Sequence, residues 1–250
     1  MVLTGKHALT MRAMRSIAPL IIFAMTTGYS ASAIAAQELD TDDLLNLSLK
    51  ELSEIEVTSV SKKAEKETEA AAAIFVITQE DIKRSGATAI PEVLRMAPGV
   101  TVTKSGSRDW TVTARGFNDQ FSNKLLVLID GRTVYSPLFS GVIWDVQDTM
   151  LEDIERIEVI RGPGATLWGA NAVNGVINII TKNARDTQGG LATAAIGTQV
   201  DGIGGGRYGV KIGEDSYVRM YAKQRAYDSE HTLTGTNAAD SWKMSQTGFR

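Results

Sequence analysis

His7 and His231, at opposite ends of a 250-residue chain that contains no cysteine, are the only imidazoles available for catalysis or metal binding. A Ser-His-Asp relay needs a histidine beside its nucleophile, and thiolate or zinc-thiolate chemistry needs cysteine, so neither has a basis here. Glu155 and Glu158 flank Arg156 in one strand-like run, which reads as a ladder of ion pairs on a sheet better than as paired carboxylates for acid-base work. Gly162, Gly164 and Gly169 raise the question of a phosphate cradle. They do not fit G-x-G-x-x-G, no G-K-[ST] follows, and no clear helix opens after Gly164. The chain shows no set of nucleophile, base and metal ligands, which points away from an enzyme.

Three apolar runs dense in Val and Ile position these glycines: Leu125 to Ile129, Ile157 to Ile160 and Val176 to Ile180. Each has the length and composition of a buried strand. Asp130-Gly131 reads as a tight turn, Arg161 to Gly164 as a chain reversal, and Asn174-Gly175 as a two-residue hairpin turn. Upstream, Ile74 to Thr78 predicts a strand. Thr78 then caps a helix in capping-box fashion with Asp81, and Gly86 ends it. A second helix starts at Thr88, carries Ile90, Val93, Leu94 and Met96, and stops at Pro98-Gly99. Val100 to Thr103 and Thr111 to Ala114 predict further strands. The class is α+β: a small mixed four-stranded sheet covered on one face by short helices.

Polar loops with aromatic side chains lie between those strands, at Lys104 to Trp110, Phe117 to Asn123 and Tyr135 to Trp144. Arg108, Trp110, Phe117, Asn118, Tyr135, Phe139 and Trp144 suit recognition of a polar, partly aromatic small molecule, and equally suit filling against whatever encloses the module. Arg115 and Arg161 each end a strand directly before glycine, where a guanidinium can reach outward to a carboxylate or simply face solvent. Hydrophobic residues make up 43% of the chain and charged ones 22%, a globular balance, and a net charge of −3 offers no electrostatic case for nucleic acid.

Residues 11 to 36 have the form of an export signal: Arg12 and Arg15, an apolar core from Ile17 to Met25, and a small-x-small site at Ala33-Ile34-Ala35. Residues 1 to 10 read as an extension from an upstream start codon. An acidic segment follows, with Leu44, Leu45, Leu47, Leu49 and Leu52 suggesting a short amphipathic helix. Ile55-Glu56-Val57-Thr58-Ser59-Val60 then alternates in side-chain type before the charged run Lys62 to Glu69, which reads as a solvated linker. Such a strand is a candidate for pairing with a strand of another protein, or for an edge of the module itself.

After Lys182 the pattern becomes long alternating strands. Tyr217 to Tyr227 carries Val218, Met220, Ala222 and Ala226 on one face and Arg219, Lys223 and Arg225 among tyrosines on the other. Arg207 to Ile212 repeats this. Lipid outside and water inside explains the alternation, as does an antiparallel soluble sheet. Gly213 to Asp215 predicts a short turn, with longer loops at Asp201 to Gly206 and Asp228 to Asp240.

Arg115-Gly116-Phe117, Leu126 to Arg132 (LVLIDGR), Ile154 to Gly164 (IERIEVIRGPG) and Gly169 to Lys182 (GANAVNGVINIITK), in that order, resemble the plug domain of TonB-dependent outer-membrane receptors. The resemblance implies a signal peptide over 1–36, a periplasmic segment over 37–61 with a TonB box at Ile55 to Val60, a plug over 62–185, and over 186–250 the first four or so strands of a transmembrane barrel whose family pattern has 22. It implies TonB and membrane lipid as partners. Plug loops would line the extracellular site of a scarce ligand such as a ferric siderophore, haem or cobalamin. Arg115 and Arg161 would lock the plug to glutamates of the barrel wall, none of which is assignable in this chain. The alternative is a passive plugged porin or an adhesin. Four strands do not close a barrel, so Arg250 is expected to lie inside a longer receptor.

Overall fold

The computed structural model describes residues 56–57, 65–66, 73–116, 122–162, 168–169, 171–198 and 200–250. The expected signal segment, residues 37–55, most of the charged run after Val60, and Phe117 and Asn118 lie outside them.

In chain order the strands are β1 (Glu56–Val57), β2 (Glu65–Lys66), β3 (Ala73–Thr78), β4 (Val100–Lys104), β5 (Trp110–Ala114), β6 (Leu125–Ile129), β7 (Arg132–Thr133), β8 (Ile154–Arg161), β9 (Gly175–Thr181), β10 (Gly189–Ala195), β11 (Val200–Lys211), β12 (Tyr217–Tyr227) and β13 (Trp242–Phe249). Two helices, α1 (Gln79–Ser85) and α2 (Ile90–Leu94), follow β3. None of the described helices is long and apolar enough to cross a membrane.

The central sheet runs β3-β8-β9-β6-β7, with β6 and β9 parallel and its other pairings antiparallel. It is the expected mixed sheet of four main strands, extended at one edge by the two-residue β7. Its middle strands are apolar on both faces because both are covered. Leu125, Val127, Ile157, Val159, Ile177 and Ile179 pack with Ile82 of α1 and Ile90, Val93 and Leu94 of α2. Leu126, Leu128, Ile160 and Val176 point the other way and pack with Ala172 and Trp168. Alternation at period two divides each run between the two layers.

Thr78 and Asp81 form the capping box at the start of α1, and Gly86 closes it with a left-handed φ of 67°. Thr88 donates both its amide and its hydroxyl to Glu92 just ahead of α2. Arg156 pairs with both Glu155 and Glu158, the ladder read from the sequence.

Four local expectations change. The hairpin β4-β5 stands as a separate two-stranded sheet. Asn174-Gly175 is no hairpin turn: Gly175 opens β9, where a Cβ would meet the Ile160 carbonyl, so glycine serves close strand approach. Glu65 and Lys66, expected in a solvated linker, pair antiparallel with Val57 and Glu56. The glycine-rich stretch Asp201 to Gly206 lies within β11. The β10-β11 connection therefore falls earlier, between Ala195 and Val200.

β10 to β13 form a four-stranded antiparallel meander. One face presents Tyr208, Met220 and Phe249 in a single cross-strand row, all exposed. The other face covers the central module.

Candidate functional site

Among the described residues, buried charges of opposite sign meet at the seam between the module and the β10-β13 sheet. Alternation on β12 turns Arg219, Tyr221, Lys223, Arg225 and Tyr227 to one side. Cross-strand pairing brings Arg207 of β11 and Gln246 of β13 onto the same face, since Arg207 sits opposite Tyr221 and Gln246 opposite Lys223. That face meets carboxylates of the segment ahead of β8. Asp153 pairs with Arg207 and, at 3.4 Å, with Arg219. Asp148 pairs with Lys223 at 3.0 Å and Arg225 at 3.2 Å. The side chains of Asp153 and Asp148 are 0% and 1% exposed, and those of Arg219, Lys223 and Arg225 5%, 8% and 4%.

Main-chain oxygens complete the seam. Arg219 donates to the Lys182 carbonyl at 3.1 Å, Lys223 to that of Thr149 at 3.2 Å, and Gln246 to that of Asp148 at 2.7 Å. The ion pairs of Asp148 are charge contacts rather than hydrogen bonds, because neither of its carboxylate oxygens meets a donor in hydrogen-bonding geometry among the described residues. Gly209 lets the layers approach, since a Cβ there would meet the backbone of Thr187 and Gln188.

At one end of the seam Asp130, held at φ 49° after β6, accepts from the Thr181 amide at 2.8 Å and its hydroxyl at 2.9 Å, and pairs with Arg250. Burial alone would raise the Asp130 carboxyl, but the Arg250 and Thr181 donors outweigh it and hold it below its ordinary value. Lys182 is shifted down, first by burial and then by the nearby Arg207. A cavity of about 690 Å³ opens beside this end, lined among others by Asp130, Arg132, Asp148, Arg219, Gln246 and Arg250.

At the other end the β4-β5 hairpin is tied to the β12-β13 loop. The Ser107 amide donates to the Asp240 carboxylate at 2.8 Å, its hydroxyl donates to the Asp240 carbonyl, and the Trp242 indole donates to the Ser107 carbonyl at 3.1 Å. The amides of Ser107 and Glu230 keep the Asp240 carboxyl below its ordinary value. Lys104 pairs with Glu230 at 2.9 Å, and Tyr227 stacks on Trp242 with centroids 5.3 Å apart.

The residues expected to do the binding are placed unevenly. Arg108 and Tyr135 are exposed and Phe139 is half-buried. Trp110 is half-buried, with Arg95 and Lys104 each 5.5 Å from its ring centroid, so its indole already serves as a cation platform within the fold. Trp144 corrects its expectation: at 5% exposure it belongs to the main core and faces no ligand surface. Arg115, at φ 60°, is exposed, and its guanidinium comes close to Gly162, while the stem of half-buried Arg161 packs on Gly99. The two arginines thus flank one glycine-lined corner. Neither forms an ion pair among the described residues; the ion pairs across the seam set carboxylates on the module against cations on the strands. Of the Ile55 to Val60 segment, Glu56 and Val57 are described, paired with Lys66 and Glu65, and Val57 is fully buried. The wall cations were legible as a polar face. Their partners Asp130, Asp148 and Asp153 were missed, since nothing local distinguishes them from loop aspartates.

Residues 66–176 match the TonB-dependent receptor plug domain family. The vitamin B12 transporter BtuB of Vibrio vulnificus is 31% identical over 169 residues, covering 67% of this chain and 25% of that protein. BtuB of Vibrio cholerae serotype O1 is 34% identical over 172 residues, covering 68% and 27%. The chain therefore spans about a quarter of the length of these relatives. The ferric yersiniabactin uptake receptor FyuA from Yersinia pestis shares the fold, with a TM-score of 0.56 at 19% identity over 71% of this chain and 28% of that one. The plug-domain match over residues 66–176, followed by a four-stranded antiparallel sheet, assigns the plug region of this chain to the TonB-dependent receptor family.

Proposed function

We propose that the chain supplies the plug and the first wall strands of a receptor that actively imports a scarce ligand across the bacterial outer membrane, with TonB delivering the energy. Export would use the signal over residues 1–36. TonB would bind by strand addition at Ile55 to Val60, after a periplasmic segment over 37–61. The plug over 62–185 would gate the barrel begun by 186–250. The observation that carries this reading is the two-faced β10-β13 sheet: cations inward on plug carboxylates, and an exposed row of Tyr208, Met220 and Phe249 outward, as suits an aromatic band at a lipid boundary.

The family relatives bring cobalamin and ferric chelates forward as cargo classes, with haem as a third. Extended backbone at Glu56–Val57 supports strand addition, and its two-rung ladder with Glu65–Lys66 is short enough to exchange for a longer partner. Arg115, Arg161, Arg108, Tyr135 and Phe139 remain the arginines and rings proposed for the barrel lock and the ligand face. The test is uptake of labelled cobalamin and ferric siderophores by cells expressing the receptor, with and without TonB, and with residues 55–60 deleted. Import that persists without TonB, or unchanged in the deletion, overturns the proposal.

A further inference from the structure

Resting on that reading, we propose that the inner face of β12 is a cationic rail, so that the cargo is an anionic chelate which replaces the plug carboxylates along the wall during passage. The starting observation is stoichiometry. Arg207, Arg219, Lys223 and Arg225 meet two carboxylates, Asp153 and Asp148, each shared between two cations. The surplus is sealed in place. Arg219, Lys223 and Arg225 are at most 8% exposed, so they are enclosed by the plug and strands already described.

A purely structural seam has no use for this surplus, because an uncompensated buried cation is costly and a one-to-one pairing would hold the plug as well. The satisfaction is also loose. The Nε atoms of Arg207, Arg219 and Arg225 lack hydrogen-bond partners among the described residues, as do both oxygens of Asp148 and the Oε1 of Gln246. When the segment carrying Asp148 and Asp153 leaves the wall, the cations stay behind on the strands. Arg219 to Arg225 then form a column roughly 20 Å long at about 3.3 Å per residue. The neighbouring cavity of about 690 Å³ adds Arg132 and Arg250 beside Asp130. A narrow low-dielectric gap with excess positive charge concentrates anions and repels cations. An anionic cargo can take over guanidinium and ammonium groups one after another, as each is relinquished by an aspartate. An uncharged cargo gains nothing from this exchange.

The test uses the whole receptor in cells, offering anionic cargoes (a ferric tricatecholate, a ferric tricarboxylate and haem) and uncharged ones (cyanocobalamin and a neutral ferric trihydroxamate). TonB-dependent import confined to the anionic set is the expected result. For the best cargo of that set, the double variant Lys223→Gln with Arg225→Gln lowers the import rate at least tenfold while surface binding persists. Asp148→Asn breaks the same ion pairs from the plug side but keeps the rail, and it raises the import rate at least twofold. If the two variants lower import alike, the cations only seat the plug and the rail is refuted. TonB-dependent import of uncharged cargo alone also overturns the rail but leaves the proposed function standing. Absence of TonB-dependent import for every cargo overturns both.

Discussion

Replacing Asp153 by asparagine tests whether the seam holds the plug. The carboxylate is fully buried between Arg207 and Arg219, so the neutral amide leaves two guanidiniums facing each other with no counter-charge. Removing one partner of a buried pair costs about 3–5 kcal/mol. The lower end applies, because Arg219 keeps its bond to the Lys182 carbonyl and Arg207 retains partial access to water. A loss of about 3 kcal/mol, at roughly 1.4 kcal/mol per factor of ten, makes the unseated plug ~100-fold more populated. The buried Ser107 amide, which donates at 2.8 Å to the Asp240 carboxylate of the β12-β13 loop, crosses from the module to the wall and reports the opening by hydrogen exchange. Its exchange in the purified receptor should quicken ~100-fold in Asp153→Asn, whereas exposed Asp186→Asn changes stability by less than about 0.5 kcal/mol. A double-mutant cycle with Arg207→Gln should return a coupling above about 1 kcal/mol. Exchange in Asp153→Asn within threefold of wild type refutes the seam as the plug's anchor.

Three further outcomes follow from the same contacts. Gly209→Val drives a side chain into the Thr187 and Gln188 backbone and should unseat the plug by about 1–3 kcal/mol, while Gly204→Ala, which meets open space, should not, both read as protease resistance of the seated plug. Trp144→Ala removes a core indole and should cost about 3–5 kcal/mol in denaturant titrations, with ligand affinity of the surviving folded receptor unchanged. Asp130 has a carboxyl depressed in the folded state, so its contribution is present above the unfolded value near ~3.9 and is lost as pH falls through the lower folded one. Plug seating measured from pH 6 down to pH 3 should lose the acid-side part of its slope in Asp130→Asn.

How much of this was legible in the chain depends on how local the cause is. Capping at Thr78, the left-handed stop at Gly86 and the two-layer burial of Leu125 to Ile129 rest on neighbours a few residues away, and each has a pattern in the sequence. The cations of β12 were legible as a face because alternation is local too. What they face was not. Asp148 and Asp153 meet β12 from more than 65 positions away, and their role exists only once two separately folded layers close. Trp144 misled for the same reason: it sits among loop residues, and its burial is decided by distant core partners. Glycines in β11 misread as a loop because glycine weakens an isolated strand, whereas here Gly209 makes room for a second layer.

The topology also says where a pull on the plug is felt. Force entering at Ala73 acts on the end of β3 that lies beside Arg161, because the ladder runs from Ala73 opposite Arg161 to Thr78 opposite Arg156. β8 is held from its other end, where Asp153 immediately precedes Ile154 and is clamped by Arg207 and Arg219. A pull along the strand axis therefore loads the six β3-β8 rungs in shear, all at once, instead of peeling them singly. Shear of a whole ladder resists more than the stretching of a few ion pairs, and those ion pairs weaken further as water enters the seam and raises its dielectric. The wall contacts at Asp153 and Asp148 are thus the first to give, and β3 stays on the sheet. A disulfide joining positions 77 and 157, which face each other in that ladder, should then leave import intact, whereas one joining positions 153 and 207 across the seam should stop it.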